Sequence, residues 1–304
     1  MIGEAVVEAL QKFVPRENIR LQEPMAGHTT FRIGGPADCF VELENGEQLK
    51  KLRRYLELTG LSFFVLGNDS NVLVSDSGYK GIVLQIGPRM NSVRVEGNRI
   101  VAEAGATLAQ VARAAMEHGL TGLEFASGIP GTVGGGVVMN AGAYGGEMKD
   151  VLTEITALTP EGDIIRIPKE QMEFGYRTSV VARKGYIVLE ACMQLKKGDR
   201  QEIRAKMEEL KEKRVNKQPL EYPSAGSTFK RPEGYFAGKL IQDAGLRGFA
   251  IGGAQVSEKH CGFVINRGEA TAKDVSDLMI RVSEIVEDKF GVRLEPEVKR
   301  LGEF

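Results

Sequence analysis

Nine of the chain's 37 glycines fall between residues 122 and 146, in GLEFASGIPGTVGGGVVMNAGAYGG. A stretch so bare of side chains is a poor helix or strand former and reads as loop. Glycine admits left-handed backbone and lets main-chain N–H groups approach a ligand closely, so one reading is a cradle for an anionic group such as phosphate. The other is a run of tight turns in which backbone packs on backbone. A second stretch, LGNDSNVLVSD at 66–76, puts Gly67, Asn68, Asp69, Ser70 and Asn71 directly after an apolar strand. Such a strand-end loop suits phosphate or ribose, and suits an Asx-rich turn equally well.

The chain's 304 residues exceed the usual span of one core, so two or three lobes are expected. With 42% hydrophobic and 27% charged residues it is an ordinary globular composition, and 40 basic against 41 acidic side chains leave no electrostatic footprint for nucleic acid. MIGEAVVEALQKFV has no basic region ahead of an apolar core, and no run approaches the roughly 18 apolar residues of a membrane helix. A cytoplasmic protein with no membrane partner is expected. Cys39, Cys192 and Cys261 are odd in number and far apart, which predicts buried thiols rather than disulfides or a metal centre.

Hydrophobic spacing predicts an opening helix over 2–13, then a βαβ unit from a strand at 39–44, a helix at 46–58 and a strand at 62–66. Short strands at 72–76 and 81–86 follow. SVRVEGNRIVAEA reads as a hairpin turning at Gly97-Asn98, TLAQVARAAMEHG as a helix stopped by Gly119, and EITALTPEGDIIRI as a hairpin with PEGD at its turn. A strand at 186–195 precedes a charged helix at 199–217, which marks a boundary. Beyond it lie a helix around 234–244, a strand at 263–266, a helix from the cap pair Thr271/Asp274 to Gly291, and a last strand broken by Pro296.

No GxGxxG opens a βα unit, and GxxxxGK[ST], GxSxG and HExxH are absent, so the common dinucleotide, P-loop, hydrolase and zinc-protease templates do not apply. Three segments set a reactive residue in an unusual context: Tyr176 and Arg177 in FGYRTS, Ser227 in YPSAGSTFKRP, and Glu297 in LEPEVKRLG. Taken singly, each fits a surface ion pair, a helix cap or a solvated carboxylate as well. Lys217, Lys230 and Arg231 near the serine suit phosphate neutralisation or plain solubility.

Together these segments resemble the UDP-N-acetylenolpyruvoylglucosamine reductases, flavoenzymes of peptidoglycan precursor synthesis. The resemblance runs in order through HTTFRIGGPAD (28–38), VLGNDSNVLVSD (65–76), SGIPGTVGGGVVMNAGAYGGE (127–147), FGYRTS, KQP (217–219), AGSTFKRP (225–232), KLIQDAGLRGFAIGGAQVSEKHCGFVIN (239–266) and LEPEVKRLG. It implies an α+β fold: an FAD-binding module of the vanillyl-alcohol-oxidase (PCMH) type in two lobes, plus a smaller C-terminal α/β substrate-binding lobe. The implied boundaries are 1–86 with a returning strand at 297–304, 87–200, and 201–296. Non-covalent FAD is matched to Gly67, Asn68, Asp69, Ser70 and Asn71, to Ala104 and Gly105, and to Gly128, Ile129, Pro130, Gly131, Val133, Gly134 and Gly135. Arg177 matches the arginine that polarises the substrate carboxylate, Ser227 the proton donor and Glu297 the acidic partner. Tyr176, Lys217, Lys230, Arg231 and His260 match positions lining the substrate pocket, with Lys230 a candidate for making Ser227 more acidic.

NADPH is the implied co-substrate, UDP-N-acetylglucosamine enolpyruvate the substrate, and a monomer the implied state. With only eight residues between Arg177 and Tyr186, the chain resembles the family's shorter subtype, which lacks an inserted tyrosine loop. Two other readings stand beside this one. A flavoenzyme on the same scaffold that oxidises an alcohol would have His28, His118 and Cys192 as available covalent anchors. A non-catalytic nucleotide-binding protein would use the loops alone.

Overall fold

Leu49, Leu52 and Leu56 recur at helical spacing and are fully buried on the inner face of helix Gly46–Thr59. Asn45 caps its start by accepting the Gln48 N–H at 2.9 Å, and Gly60 ends it in the left-handed region at φ 66°. The same logic builds helix Leu108–Glu117 behind the Thr107/Gln110 capping box, and helix Ala272–Phe290 behind Thr271/Asp274 with Gly291 at its stop. Each cap is worth about 1 kcal/mol.

The computed structural model describes residues 2–304. The chain divides into two units interleaved in sequence. The first holds the chain up to Arg20, Cys39–Asn68 and Gly81–Arg214; the second holds Leu21–Asp38, Asp69–Lys80 and Val215–Phe304. The charged helix, Arg200–Lys217, thus carries the last boundary within itself rather than forming a linker.

In the first unit an antiparallel five-stranded sheet runs in the order Ile164–Pro168, Leu152–Leu158, Ile187–Gln194, Arg99–Glu103, Val93–Glu96. Its inward residues Ile155, Ala157, Ala191, Met193, Ile100 and Ala102 join one core with Leu49, Leu52, Val111 and Val137. The helix Gly46–Thr59 leads to strand Phe63–Leu66, but that strand pairs in parallel with Ile82–Gln85. Strand Tyr79–Gln85 therefore separates it from Pro36–Glu42, and the expected βαβ neighbours are not adjacent. The sequence reading missed Ile19–Pro24, whose exposed residues leave no clear alternation.

The second unit has its own core, in which Leu73, Phe229, Leu240, Ile241, Val264, Val275, Leu278 and Val282 meet. Its antiparallel sheet orders Ala250–Ile251, Ala254–Val256 and Val264–Asn266. The C-terminal strand is short, Lys299–Leu301, and lies parallel to Val72–Val74, while Pro296 makes only a bridge to Phe229. Lacking an N–H, proline cannot continue the ladder.

The glycine-rich segment is not the loop its composition predicts. Glu124–Gly128 forms a 3-10 turn and Val133–Val138 a short helix capped by Thr132. Of the nine glycines only Gly122 and Gly145 have positive φ; Asn140 and Tyr144 take the other left-handed positions. Most of the remainder are needed for close packing. A Cβ would meet Phe125 at 2.6 Å from Gly146, the Gly146 carbonyl at 2.7 Å from Gly142, and Ala104 at 3.0 Å from Gly134. These positions are closely packed, Gly142 against backbone and Gly146 against the Phe125 side chain.

Candidate active site

Three nominated segments of the first unit meet through main-chain bonds. Gly134 N–H donates to the Ala104 carbonyl and Val133 N–H to that of Ala106, both at 2.8 Å, and Leu108 N–H donates to the Gly131 carbonyl at 2.9 Å. The side-chain amide of Asn68 donates to the Pro130 carbonyl at 3.1 Å. Gly67 lies so close to Thr132 that a Cβ would stand 2.6 Å from its hydroxyl. Gly105 is tighter still, with the Gly87 carbonyl oxygen 2.2 Å from such a Cβ. Residues 67–68, 104–105 and 128–135 are therefore packed together by main-chain bonds and close glycine contacts.

Two residues that the sequence reading did not nominate shape this unit. Arg214, half-buried, donates to the Gly128 carbonyl and packs where a side chain at 128 would lie. Its helix reads as a solvated charged stretch, so no pattern singled it out. Asn140 is 3% exposed; its amide donates to Glu147 Oε2 at 2.7 Å and to the Gly175 carbonyl at 3.2 Å, and its Oδ1 accepts from Lys149 N–H at 3.0 Å. This network ties the glycine-rich segment to the turn that carries Tyr176 and Arg177. Arg177 has φ 55°, and its guanidinium lies 5.5 Å from the exposed Tyr176 ring centroid. Glu147 is held ionised below the usual carboxylate range by Lys149 first, then by Asn140, with a smaller pull from Arg177.

The second unit brings Ser227 beside Glu297. Gly226, at φ 73°, turns the chain into Ser227. Thr228 anchors that turn: its N–H donates to the Gly262 carbonyl, its hydroxyl accepts from Val264 N–H, and its carbonyl accepts from Glu297 N–H, each at 2.8 Å. Asn71 also holds the Glu297 backbone, its amide donating to the Glu297 carbonyl at 3.1 Å. Burial pulls the His260 pKa below its ordinary value, and the Lys217 charge adds to the effect, so the imidazole is neutral at pH 7. Two nominated cations are otherwise engaged: Lys230 pairs with Glu295 at 3.0 Å on the surface, and Arg231 lies 4.0 Å from the Phe236 ring centroid. The Lys230 ammonium thus meets the Glu295 carboxylate in an exposed pair, an interaction worth at most about 1 kcal/mol.

Residues 218–301 match the family described as the UDP-N-acetylenolpyruvoylglucosamine reductase C-terminal domain, and residues 37–168 match the FAD binding domain family. The chain is 52% identical to a UDP-N-acetylenolpyruvoylglucosamine reductase of Agathobacter rectalis over 100% of both chains. It is 50% identical to one of Caldanaerobacter subterraneus over 99% of this chain and 100% of the relative. The chain belongs to the UDP-N-acetylenolpyruvoylglucosamine reductase family. The crystal structure of the family's Thermus caldophilus reductase superposes with a TM-score of 0.80 at 35% identity, covering 93% of this chain and 98% of that one. An alkyldihydroxyacetonephosphate synthase, at 15% identity and TM-score 0.50 over 65% of this chain and 41% of that one, shares the fold alone. The fold is the expected α+β arrangement of an FAD-binding module with a C-terminal substrate-binding domain, and this family member is a flavoprotein.

The residues present fit that cofactor. Gly67 and Gly105 pack against Thr132 and the Gly87 carbonyl, which holds their segments close, and in the same strand-end loop as Gly67 both carboxyl oxygens of Asp69 are buried without a hydrogen-bond partner among the described residues, a polar group left for a ligand to meet. Only the short helix Val180–Lys184 lies between Arg177 and strand Ile187–Gln194, so this reductase family member has no inserted unit there.

Proposed function

We propose that the chain reduces the enolpyruvyl group of UDP-N-acetylglucosamine enolpyruvate to a lactyl ether, with NADPH as reductant, giving UDP-N-acetylmuramate for peptidoglycan. The observation that carries this reading is the Ser227 turn bonded through Thr228 to the Glu297 backbone, which sets a hydroxyl and a carboxyl on neighbouring chain segments. Bound FAD supplies the hydride chemistry and is regenerated by NADPH. Gly67–Asn71, Ala104–Gly105, Gly128–Gly131 and Val133–Gly135 hold it.

Hydride arriving at the β-carbon of an enol ether leaves negative charge on the α-carbon, delocalised into the adjoining carboxylate. Arg177 meets that charge with its planar guanidinium fork. Ser227 gives the α-carbon its proton. Glu297 bonds the developing enolate. Tyr176, Lys217 and neutral His260 line the nucleotide-sugar pocket, with Lys230 and Arg231 at its margin. The lobes 1–86 with 297–304, 87–200 and 201–296 are the functional division we assign; the pairing of Lys299–Leu301 with Val72–Val74 supports the return of the C-terminal strand to residues 72–74, which pack in one unit with Val215–Phe304. A monomer in the cytoplasm is the state we assign; among the described residues no helix is long and apolar enough to cross a membrane.

Ser227→Ala tests the assignment when both half-reactions are followed anaerobically by flavin absorbance. Reduction by NADPH is expected to survive while substrate-dependent reoxidation falls by at least about 10³-fold. Equal loss of both would remove Ser227 from the role of proton donor.

A further inference from the structure

Asp69 is the one member of the strand-end loop whose chemistry the reading above leaves unexplained. It has φ 45° and is 5% exposed, and among the described residues neither carboxyl oxygen has a hydrogen-bond partner. Its backbone is fixed, since the Asp69 carbonyl accepts the Thr30 N–H at 3.2 Å and the Thr30 hydroxyl at 3.4 Å. Its neighbours are fixed as well, with Asn68 bonded to the Pro130 carbonyl and Asn71 to the Glu297 carbonyl.

An ionised carboxylate buried with no donor costs several kcal/mol, more than the roughly 4 kcal/mol of keeping an ordinary aspartic acid protonated at neutral pH. The neutral form changes what the residue can do. A carboxylate only accepts, whereas a carboxylic acid owns one O–H that needs an acceptor. A buried acid in a loop that binds a dinucleotide therefore asks for an oxygen on the ligand. A phosphate oxygen is the strongest acceptor a dinucleotide offers, and its negative charge would itself keep the acid protonated.

We infer that Asp69 stays protonated and donates its carboxyl O–H to a phosphate oxygen of the bound FAD. This rests on the flavin reading above and adds a protonation state and a direction to one contact. Burial alone raises the Asp69 pKa, to about 8. The charged groups on segments bonded to the loop are Arg32 beside the Thr29–Phe31 turn, and Glu297 and Lys299 near the C-terminus; none of them contributes to the shift. FAD affinity is consequently proton-linked: flat below pH 8, then weakening by up to about tenfold per pH unit above it.

The experiment titrates FAD into flavin-stripped protein from pH 6.5 to 9.5, reading Kd by quenching of flavin fluorescence, for the parent and for Asp69→Asn. The amide keeps an N–H donor but does not titrate. The parent is expected to lose affinity above pH 8, while the affinity of the variant, whatever its starting value, does not change across that range. Calorimetry of the parent in two buffers of different ionisation heat gives a second readout: proton uptake near zero at pH 6.5 and approaching one at pH 9.5. A parent Kd that stays flat, or one that rises identically in Asp69→Asn, would overturn the donor role with the flavin assignment intact. Failure of both proteins to bind FAD at any pH would overturn the flavin assignment as well.

Discussion

The side-chain amide of Asn71 donates to the main-chain carbonyl of Glu297 at 3.1 Å across 226 residues of sequence. Lys299 N–H returns a bond to the Asn71 carbonyl at 3.0 Å. The strand-end loop and the chain segment of the proposed acid are therefore clamped together by a double contact.

Asn71→Ala removes the side-chain half of that clamp. A shift of about 1 Å at Glu297 suffices to cost about 10²-fold in turnover. Substrate-dependent flavin reoxidation is expected to slow by that order while the melting temperature moves by only a few degrees. Unchanged reoxidation would show that Glu297 is positioned without Asn71.

Asn140→Ala tests the link between the glycine-rich segment and Arg177. It strips donors from Glu147 and from the Gly175 carbonyl and an acceptor from Lys149 N–H, and puts alanine at φ 43°. A loss of about 2–4 kcal/mol is expected in chemical denaturation. The turn bearing Arg177 loosens with it, so KM for the enolpyruvyl substrate should rise about tenfold with flavin content preserved.

Arg177→Lys keeps the charge but loses the fork, and reoxidation by substrate should fall by about 10² to 10³. Flavin reduction by NADPH measured in the same stopped-flow run is expected to change far less.

Gly67→Ala places a methyl group 2.6 Å from the Thr132 hydroxyl. Because that hydroxyl also caps the helix Val133–Val138, relief by rotation is penalised. The variant is expected to retain its far-ultraviolet circular dichroism and to purify with at most about a tenth of the parent's flavin. Full flavin content would remove the loop from the cofactor site.

Asp69 makes the flavin-free protein sensitive to pH. Its folded pKa of about 8 lies above the ordinary 3.8, so the folded state holds a proton that the unfolded chain releases. Its contribution is therefore full below pH 4, declines as pH rises towards 8 and is constant beyond. Urea unfolding at pH 5 and pH 8 should show Asp69→Asn gaining on the parent by a few kcal/mol over that interval. A difference independent of pH would mean that Asp69 is ionised in the folded state.

The helices and hairpins were legible because their signals are local. Thr271 with Asp274, and Gly60 and Gly291 in the left-handed region, act within one turn of the residues they stop. The pairing of Phe63–Leu66 was not legible, since an apolar strand carries no label for its neighbour. Arg214 was hidden for a similar reason: its partner is a main-chain carbonyl 86 residues away, and carbonyls leave no trace in a sequence.

The sequence by itself determined which segments could hold a dinucleotide, through the removal of side chains at Gly67, Gly105 and Gly128–Gly135, and which residue types could move a proton or meet a carboxylate. Tertiary structure decided what each of them does. It paired Lys230 with Glu295, brought Ser227 to Glu297 through Thr228, and turned the glycine-rich segment into a packed turn and helix. It also buried Asp69 away from any donor. Burial and hydrogen-bond partnership belong to residues far apart in the chain, and no single window of sequence contains both members of the pair.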